Sequence, residues 1–277
     1  MVKYSEINQE WLDDQVDNIK NEGSRQRSDR GEILCFNYEL GTNVFRVLPP
    51  CRSKDEDPIF GGSPFHIVHQ WRNVPSIGDD GNKVERNILN FGRTFPQLDD
   101  FKHDPIQDAY DEARRIDPSH TLQCWVSYYC NIATVDRNNP GFVPKNMICN
   151  LKASVYKPFI SLVSDENAAG IISFHPTQGY DSLVIKTQEN PNDFKTIRYQ
   201  FSFAPGSKPL HTDESVIEDI LHVRDLSDPS DNTGMYDLFD IWGPNEEYFE
   251  NNKRYAAKYV EYMRNNAGTG THSVNVP

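Results

Sequence analysis

The sequence predicts a β-rich α+β fold, in which a barrel of strands carries helical insertions and is flanked by helices at both ends. Three observations support this class. From about residue 33 onward, apolar and polar side chains alternate along short segments, as in half-buried strands. Clusters of Gly, Pro, Asn and Asp separate these segments. A few longer segments instead repeat their apolar residues with the period of a helix.

Residues 1–31 are expected to form a helix followed by a basic linker. Ser5 can cap a helix over residues 4–20, and its apolar side chains fall near one face: Ile7, Trp11, Val16 and Ile19. Residues 23–31 are polar, basic and bounded by glycines, which is typical of a linker. A helix this short needs a packing partner, which is either its own barrel or a neighbouring molecule.

The strand core is expected over residues 32–210. Its candidate strands are 33–38, 42–48, 65–73, 121–135, 145–152, 171–174, 181–187 and 196–203. Helices are expected to interrupt them at about 105–116 and 154–164. The chain of 277 residues is long enough for one large domain or two small ones.

Residues 211–277 are expected to form an acidic, helical C-terminal region with a disordered tail. Apolar periodicity predicts helices over 213–222 and 245–265, and the tyrosines of the second helix are expected to pack in the core. Residues 211–250 hold twelve acids and one base. Such a segment is either a solvated face or a surface for basic partners.

Composition excludes several classes of protein. No segment approaches the ~20 apolar residues of a membrane span, and residues 1–10 lack the apolar core of a signal peptide, so we expect a cytoplasmic protein without membrane contact. The five cysteines form no C-x-x-C pair. The net charge of -13 argues against nucleic acid, but the acids are concentrated in the C-terminal third and the body has local basic stretches.

Aromatic and basic side chains are interleaved on the predicted strands. Trp125 and Tyr129 fall on the polar face of one strand, where they resemble a platform for stacking bases. Single-stranded DNA binding needs this mixture, because bases stack on rings and cations follow the phosphates. Core packing is the competing interpretation of each ring. The expected DNA-binding residues are Trp71, Arg72, Arg86, Phe91, Arg93, Phe95, Trp125, Tyr129, Lys145, Lys152, Tyr156, Lys157 and Arg198.

Motifs of common enzyme classes do not occur in the sequence. Phosphate-binding glycine loops, the nucleophile elbow and the H-E-x-x-H zinc motif are all missing. The acidic runs at 55–57 and 99–100 resemble part of a two-metal nuclease site, but adjacent acids on loops are more often solvated turns. We therefore expect a protein that is not an enzyme.

Five motifs follow one another along the chain: Asn43–Pro50 (NVFRVLPP), Phe65–Trp71 (FHIVHQW), Trp125–Asp136 (WVSYYCNIATVD), Gly179–Lys186 (GYDSLVIK) and Ser207–Leu210 (SKPL). Their order and spacing resemble the single-stranded DNA-binding, helix-destabilising proteins of T-even-type tailed bacteriophages. The resemblance covers roughly residues 35–225. It implies an OB-fold barrel that coats and protects single-stranded DNA during phage replication, recombination and repair, cooperatively and without strong sequence preference, in the cytoplasm of the bacterial host. It also implies that acidic residues 211–250 recruit replication proteins.

The chain departs from this family in two places. The family carries a Cys/His zinc site between its second and central strands, whereas residues 87–118 contain only His103 and no cysteine. We therefore expect no metal and no cofactor. The family also has a short basic N-terminal motif for cooperativity, and here we expect residues 4–20 to mediate self-association along DNA instead.

Two other functions remain open at this stage. The chain could be a replication or recombination mediator that acts mainly through protein contacts of its acidic C-terminal region. A metal-dependent nuclease is the second alternative.

Overall fold

A computed structural model of the chain describes residues 33–50, 64–78, 81–139, 141–164, 174–228 and 230–266. These residues form an α+β protein with a mostly antiparallel sheet of seven strands. The predicted α+β class is therefore confirmed. The helix and linker expected over residues 1–31 lie outside the described residues, as does the expected disordered tail from 268.

The strands are β1 (Gly41–Val47), β2 (Phe65–Ile77), β3 (Lys83–Leu89), β4 (Gln123–Thr134), β5 (Asn146–Leu151), β6 (Ser182–Gln188) and β7 (Ile197–Phe203). The helices are α1 (Phe91–Thr94), α2 (Pro105–Ile116), α3 (Ala153–Ser164), α4 (Glu214–Leu221), α5 (Leu238–Trp242) and α6 (Glu246–Asn266), with short 3-10 turns at Asp99–Phe101 and Phe194–Thr196. None of the helices in the described ranges is long and apolar enough to cross a membrane.

The sheet is open, so the predicted closed barrel is wrong. The described strands follow the order β3-β2-β4-β1-β6-β7, and β5 joins as an additional neighbour of β4. β3 and β7 end this path. Alternation in a sequence indicates which side chains share a face of a strand, but it does not specify which strands become neighbours.

Two predicted strands differ in the structure. Residues 33–38 make a single parallel bridge, between Cys35 and Ile148 of β5, supported by two backbone hydrogen bonds of 2.8 Å. The segment predicted at 171–174 lies outside the described residues except for Phe174, which is not in a strand. β3 was not predicted as a strand.

The chain divides into two compact units that each combine distant segments. The first unit contains Met1–His66 and Ser127–Gly243, and the second contains Ile67–Val126 and Pro244–Pro277. In the first unit, the core is formed by apolar side chains of β1, β4, β5, β6 and α3, including Phe45, Ile132 and Phe159. A smaller cluster around Leu210 and Ile220 packs α4 against the ends of β1 and β4.

In the second unit, helices α2 and α6 pack with β2 and β3. Asp104 caps α2 by accepting a hydrogen bond of 2.9 Å from the Gln107 N–H, and Pro105 occupies the first turn, where its missing N–H costs little. Tyr259 and Met263 of α6 are buried in this core. The tyrosine-rich stripe of α6 is thus a packing surface, as its spacing predicted.

Candidate nucleic-acid interface

Trp125 and Arg72 form a stacked pair in the second unit. The guanidinium carbon of Arg72 lies 3.5 Å from the centroid of the Trp125 ring. The indole N–H donates a hydrogen bond of 3.0 Å to Gln123 Oε1, which fixes the ring in its plane. Trp125 is nevertheless 47% exposed, an unusual state for the largest apolar side chain. Since Arg72 covers one face of the indole, the opposite face and the ring edge are what Trp125 presents to solvent.

A β-bulge places Arg72 over this ring. The pairing of β2 with β3 shifts register between Trp71 and Val74, and Asn73 has a φ of 52°. The Asn73 N–H donates a hydrogen bond of 3.2 Å to Asn87 Oδ1 of β3. Bulges commonly re-aim one side chain next to a functional site, and asparagine tolerates positive φ better than most residues.

Three rings expected to stack on DNA are instead buried in the second unit. Trp71 lies in the core, and its indole N–H donates a hydrogen bond of 3.1 Å to Asp104 Oδ1. Phe91 and Phe95 are fully buried and pack on each other and on Phe101. Their DNA-binding assignment is corrected, because the chain turns into helix α1 after β3 and directs both rings inward.

Tyr129 is the fourth ring that was expected to stack on DNA and is buried instead. It was expected beside Trp125 on an exposed face, but it is buried in the first unit under Trp242, with ring centroids 4.2 Å apart. Residue 242 is far away in sequence, so no local pattern indicates that α5 covers this part of β4. Trp125 is therefore the one ring of the predicted Trp125–Tyr129 stacking platform that is exposed.

Of the arginines predicted in the second unit, Arg86 and Arg93 are exposed and Arg72 is half-buried, and each lies near a ring. Arg86 is 5.5 Å from the centroid of Tyr255, and Arg93 is 5.9 Å from that of Trp71. Lys83, which the sequence analysis missed, lies 6.0 Å from the centroid of Tyr262 and pairs with Glu85. Guanidinium groups held against rings keep part of their surface available for phosphates.

The remaining predicted residues lie in the first unit. Lys152 precedes α3 and Lys157 lies on it, both exposed, while Tyr156 is half-buried and stacks on Tyr128 at 3.8 Å between centroids. Lys145 and Arg198 are also exposed. The structure thus leaves all the predicted cations at the surface but only one predicted aromatic, Trp125, with a well-exposed ring.

Arg46, in the NVFRVLPP segment, is a buried cation that the sequence analysis did not assign. Its guanidinium donates hydrogen bonds of 2.6 and 3.0 Å to Asp181 Oδ1, and Arg137 donates bonds of 2.7 and 2.8 Å to the same carboxylate. Burial raises the pKa of Asp181, but the two guanidinium groups outweigh it and hold that pKa below its usual value. Burial lowers the pKa of Arg46, and Asp181 opposes the shift. The cluster is structural, because its charges are satisfied internally.

The described part of the chain contains no group of three or more His, Cys, Asp or Glu side chains that could hold a metal ion. Asp99 and Asp100 lie in an exposed 3-10 turn, where Asp99 pairs with Lys102. The acids at 55–57 lie outside the described residues.

Comparison with known proteins adds no relative: the chain matches no protein-family model and no curated protein sequence.

Proposed function

We propose that this protein binds single-stranded DNA without strong sequence preference, and that the exposed face of Trp125 stacks on a base. The stacked Trp125–Arg72 pair is the observation that carries the proposal. An indole braced on one face by a guanidinium and tethered at its N–H to Gln123 offers a flat, rigid surface. Every base has a π-face, so stacking of this kind tolerates any sequence.

Cations of the second unit, of which Arg72 contacts Trp125 directly, favour the same ligand. The net charge of the whole chain is -13, so phosphate binding requires local cations. Arg72, Arg86 and Arg93 supply three guanidinium groups within the second unit. Each neutralised phosphate of a single strand contributes about -0.7 to the slope of log K against log salt, so binding should weaken markedly as salt rises.

The biological role follows from the resemblance described above. In this proposal the protein is not an enzyme; it coats and protects single-stranded DNA during phage replication, recombination and repair in the host cytoplasm. Residues 4–20 mediate self-association along the strand, and acidic residues 211–250 contact replication proteins. The OB-fold that the resemblance implies remains part of this proposal, as an open sheet and not as a closed barrel.

The test is a titration of the protein with fluorescein-labelled oligo(dT), followed by anisotropy at two salt concentrations. Trp125→Ala is expected to lose about 1–3 kcal/mol of binding free energy, roughly a 5- to 150-fold weaker Kd, because one stacked base is lost. Val126→Ala is the matched control, since Val126 is the next residue on β4, is also exposed, and points to the other face of the strand.

Circular dichroism of both variants verifies that they fold. Unchanged affinity in folded Trp125→Ala would refute the platform. Failure of the wild-type protein to bind oligo(dT) would refute the proposed function as a whole. Cleavage of the oligonucleotide in the presence of Mg²⁺ would support a nuclease in its place.

A further inference from the structure

The hairpin that connects β6 and β7 exposes an aromatic ring at its tip. Phe194 is 66% exposed, more than Trp125, and lies in the 3-10 turn Phe194–Thr196 that precedes β7. It is the most exposed aromatic side chain among the described residues. Single exposed apolar residues are common on surfaces, so the exposure of Phe194 does not by itself indicate a function. The structure of the surrounding tip provides the argument.

The tip is held by a dense set of local hydrogen bonds. Thr196 is its centre: the side-chain hydroxyl donates to the Asp193 carbonyl at 2.7 Å and accepts from the Asn190 N–H at 3.0 Å. Asp193 accepts the Lys195 N–H at 2.9 Å, and Gln188 Nε2 donates to the Asn190 carbonyl at 3.0 Å. Phe194 is therefore presented by an ordered turn, which reduces the entropy lost when a ligand stacks on it.

Two cations accompany the ring. Lys195 is exposed beside Phe194. The Arg198 guanidinium donates hydrogen bonds of 2.7 Å to the Lys195 carbonyl and 3.0 Å to the Ile197 carbonyl, so its charge is fixed at the base of the tip. Two acids lie in the same hairpin, Glu189 and Asp193, and Asp193 accepts a backbone N–H through its carboxylate. A ring beside a lysine and an arginine fits a base and its phosphates better than an apolar protein surface.

We propose that the β6–β7 hairpin tip is a second nucleic-acid contact, in which Phe194 stacks on a base of single-stranded DNA and Lys195 contacts a neighbouring phosphate. The inference rests on the proposed function and deepens it, because it adds a stacking site in the first unit to the Trp125 site in the second. It also gives Arg198 a role other than the predicted contact with DNA. Arg198 positions the tip by donating hydrogen bonds to the backbone carbonyls of Lys195 and Ile197.

The experiment compares Phe194→Ala with Val143→Ala in the full-length protein, by anisotropy with fluorescein-labelled oligo(dT). Val143 is a matched control, since it is 59% exposed in the same unit but lies on a different loop. Phe194→Ala is expected to weaken Kd about 10-fold, and Val143→Ala to leave it unchanged. Thr196→Val removes the hydroxyl that organises the tip but keeps the side-chain shape, and it is expected to weaken Kd by a smaller factor.

A direct readout comes from a reporter indole. Phe194→Trp, made in a Trp125→Phe background, is expected to show fluorescence quenching on addition of oligo(dT), whereas Val143→Trp in the same background is not. Equal quenching at both positions, or an unchanged Kd in folded Phe194→Ala, would overturn the proposal while leaving the Trp125 site intact. Loss of binding to long strands with unchanged binding to a short oligonucleotide would identify the tip as a contact between protein molecules and would also overturn it. A wild-type protein that does not bind DNA overturns both proposals.

Discussion

At the scale of single residues, the Arg46–Asp181–Arg137 cluster shows how a buried charge stabilises distant segments. Arg46 is 1% exposed and Asp181 is 3% exposed. Besides the carboxylate, Arg46 donates hydrogen bonds to the carbonyls of His175 and Lys208. One side chain of β1 thus joins the segments before β6 and after β7, which also hydrogen-bond to each other through their backbones, from the Lys208 N–H to the Gly179 carbonyl at 3.0 Å and from the Leu210 N–H to the Pro176 carbonyl at 2.6 Å.

Removal of the Asp181 carboxylate is expected to destabilise the folded protein strongly. Asp181→Asn leaves the Arg46 guanidinium buried without its counter-ion, so we expect the free energy of unfolding to fall by about 3–5 kcal/mol. Urea denaturation at pH 7 measures this change. Glu189→Gln, which removes an exposed acid from the same unit, is expected to change it by less than about 0.5 kcal/mol. A similarly small change in Asp181→Asn would show that the ion cluster contributes little.

The residues also show what the sequence could predict. Trp125 was expected on an exposed polar face and is exposed, because alternation along a strand reports which face a side chain occupies. Tyr129 was expected on that face as well and is buried under Trp242. Alternation carries no information about what later packs on a face. The same limit explains Phe91, which packs on Phe249 of α6, and Phe95, which packs on Phe91 and Phe101.

At the scale of elements, regular segments were predicted better than their arrangement. Helix α2 begins at the Asp104 cap and matches the expected bounds, and six predicted strands correspond to observed ones. Strand β3 was missed because its residues 83–89 mix charged and apolar side chains without clear alternation. β1 pairs with residues 132–134 of β4 and β5 with residues 128–133, so the order of strands depends on long-range contacts that no local pattern encodes.

The β-bulge in β2 leads to a prediction about the backbone conformation at Asn73. Asn73 is exposed with a φ of 52°, so Asn73→Gly is expected to be nearly neutral, whereas Asn73→Val is expected to destabilise the fold by roughly 1–2 kcal/mol. A changed bulge also moves Arg72 away from Trp125. We therefore expect Asn73→Val, but not Asn73→Gly, to weaken oligo(dT) binding several-fold. Equal affinity of the two variants would show that the bulge does not position Arg72.

At the scale of the whole molecule, a buried histidine couples stability to pH. His66 is buried, and its ring stacks with Trp242 at 6.0 Å between centroids. Burial lowers the pKa of His66 to about 4, whereas the unfolded chain titrates near 6.5. Between these values the unfolded chain binds a proton that the folded chain does not. Stability is therefore lost as the pH falls through this window, by about 3 kcal/mol in total.

Denaturation curves recorded from pH 7 to pH 4.5, with tryptophan fluorescence as the probe, test this coupling. The free energy of unfolding should fall by up to about 1.4 kcal/mol per pH unit below pH 6. His66→Phe is expected to reduce the slope, while His69 and His120, whose pKa values are also lowered by burial, keep part of it; His103→Gln, which changes an exposed histidine, is expected to leave the profile unchanged. Below about pH 4, protonation of Asp181 adds a further loss, since its pKa is lowered in the folded state. If His66→Phe keeps the full slope of unfolding free energy against pH, groups other than His66 cause the pH dependence.

The open sheet has a consequence for aggregation. A closed barrel has no edges, whereas this sheet ends in β3 and β7, and an unprotected edge invites the strand of another molecule to pair with it. β3 carries the exposed charges of Lys83, Glu85 and Arg86, and β7 exposes Arg198 and Gln200 along its length. Charged side chains on edge strands oppose such pairing. They are therefore expected to keep separate copies of this chain from polymerising through the edges of their sheets.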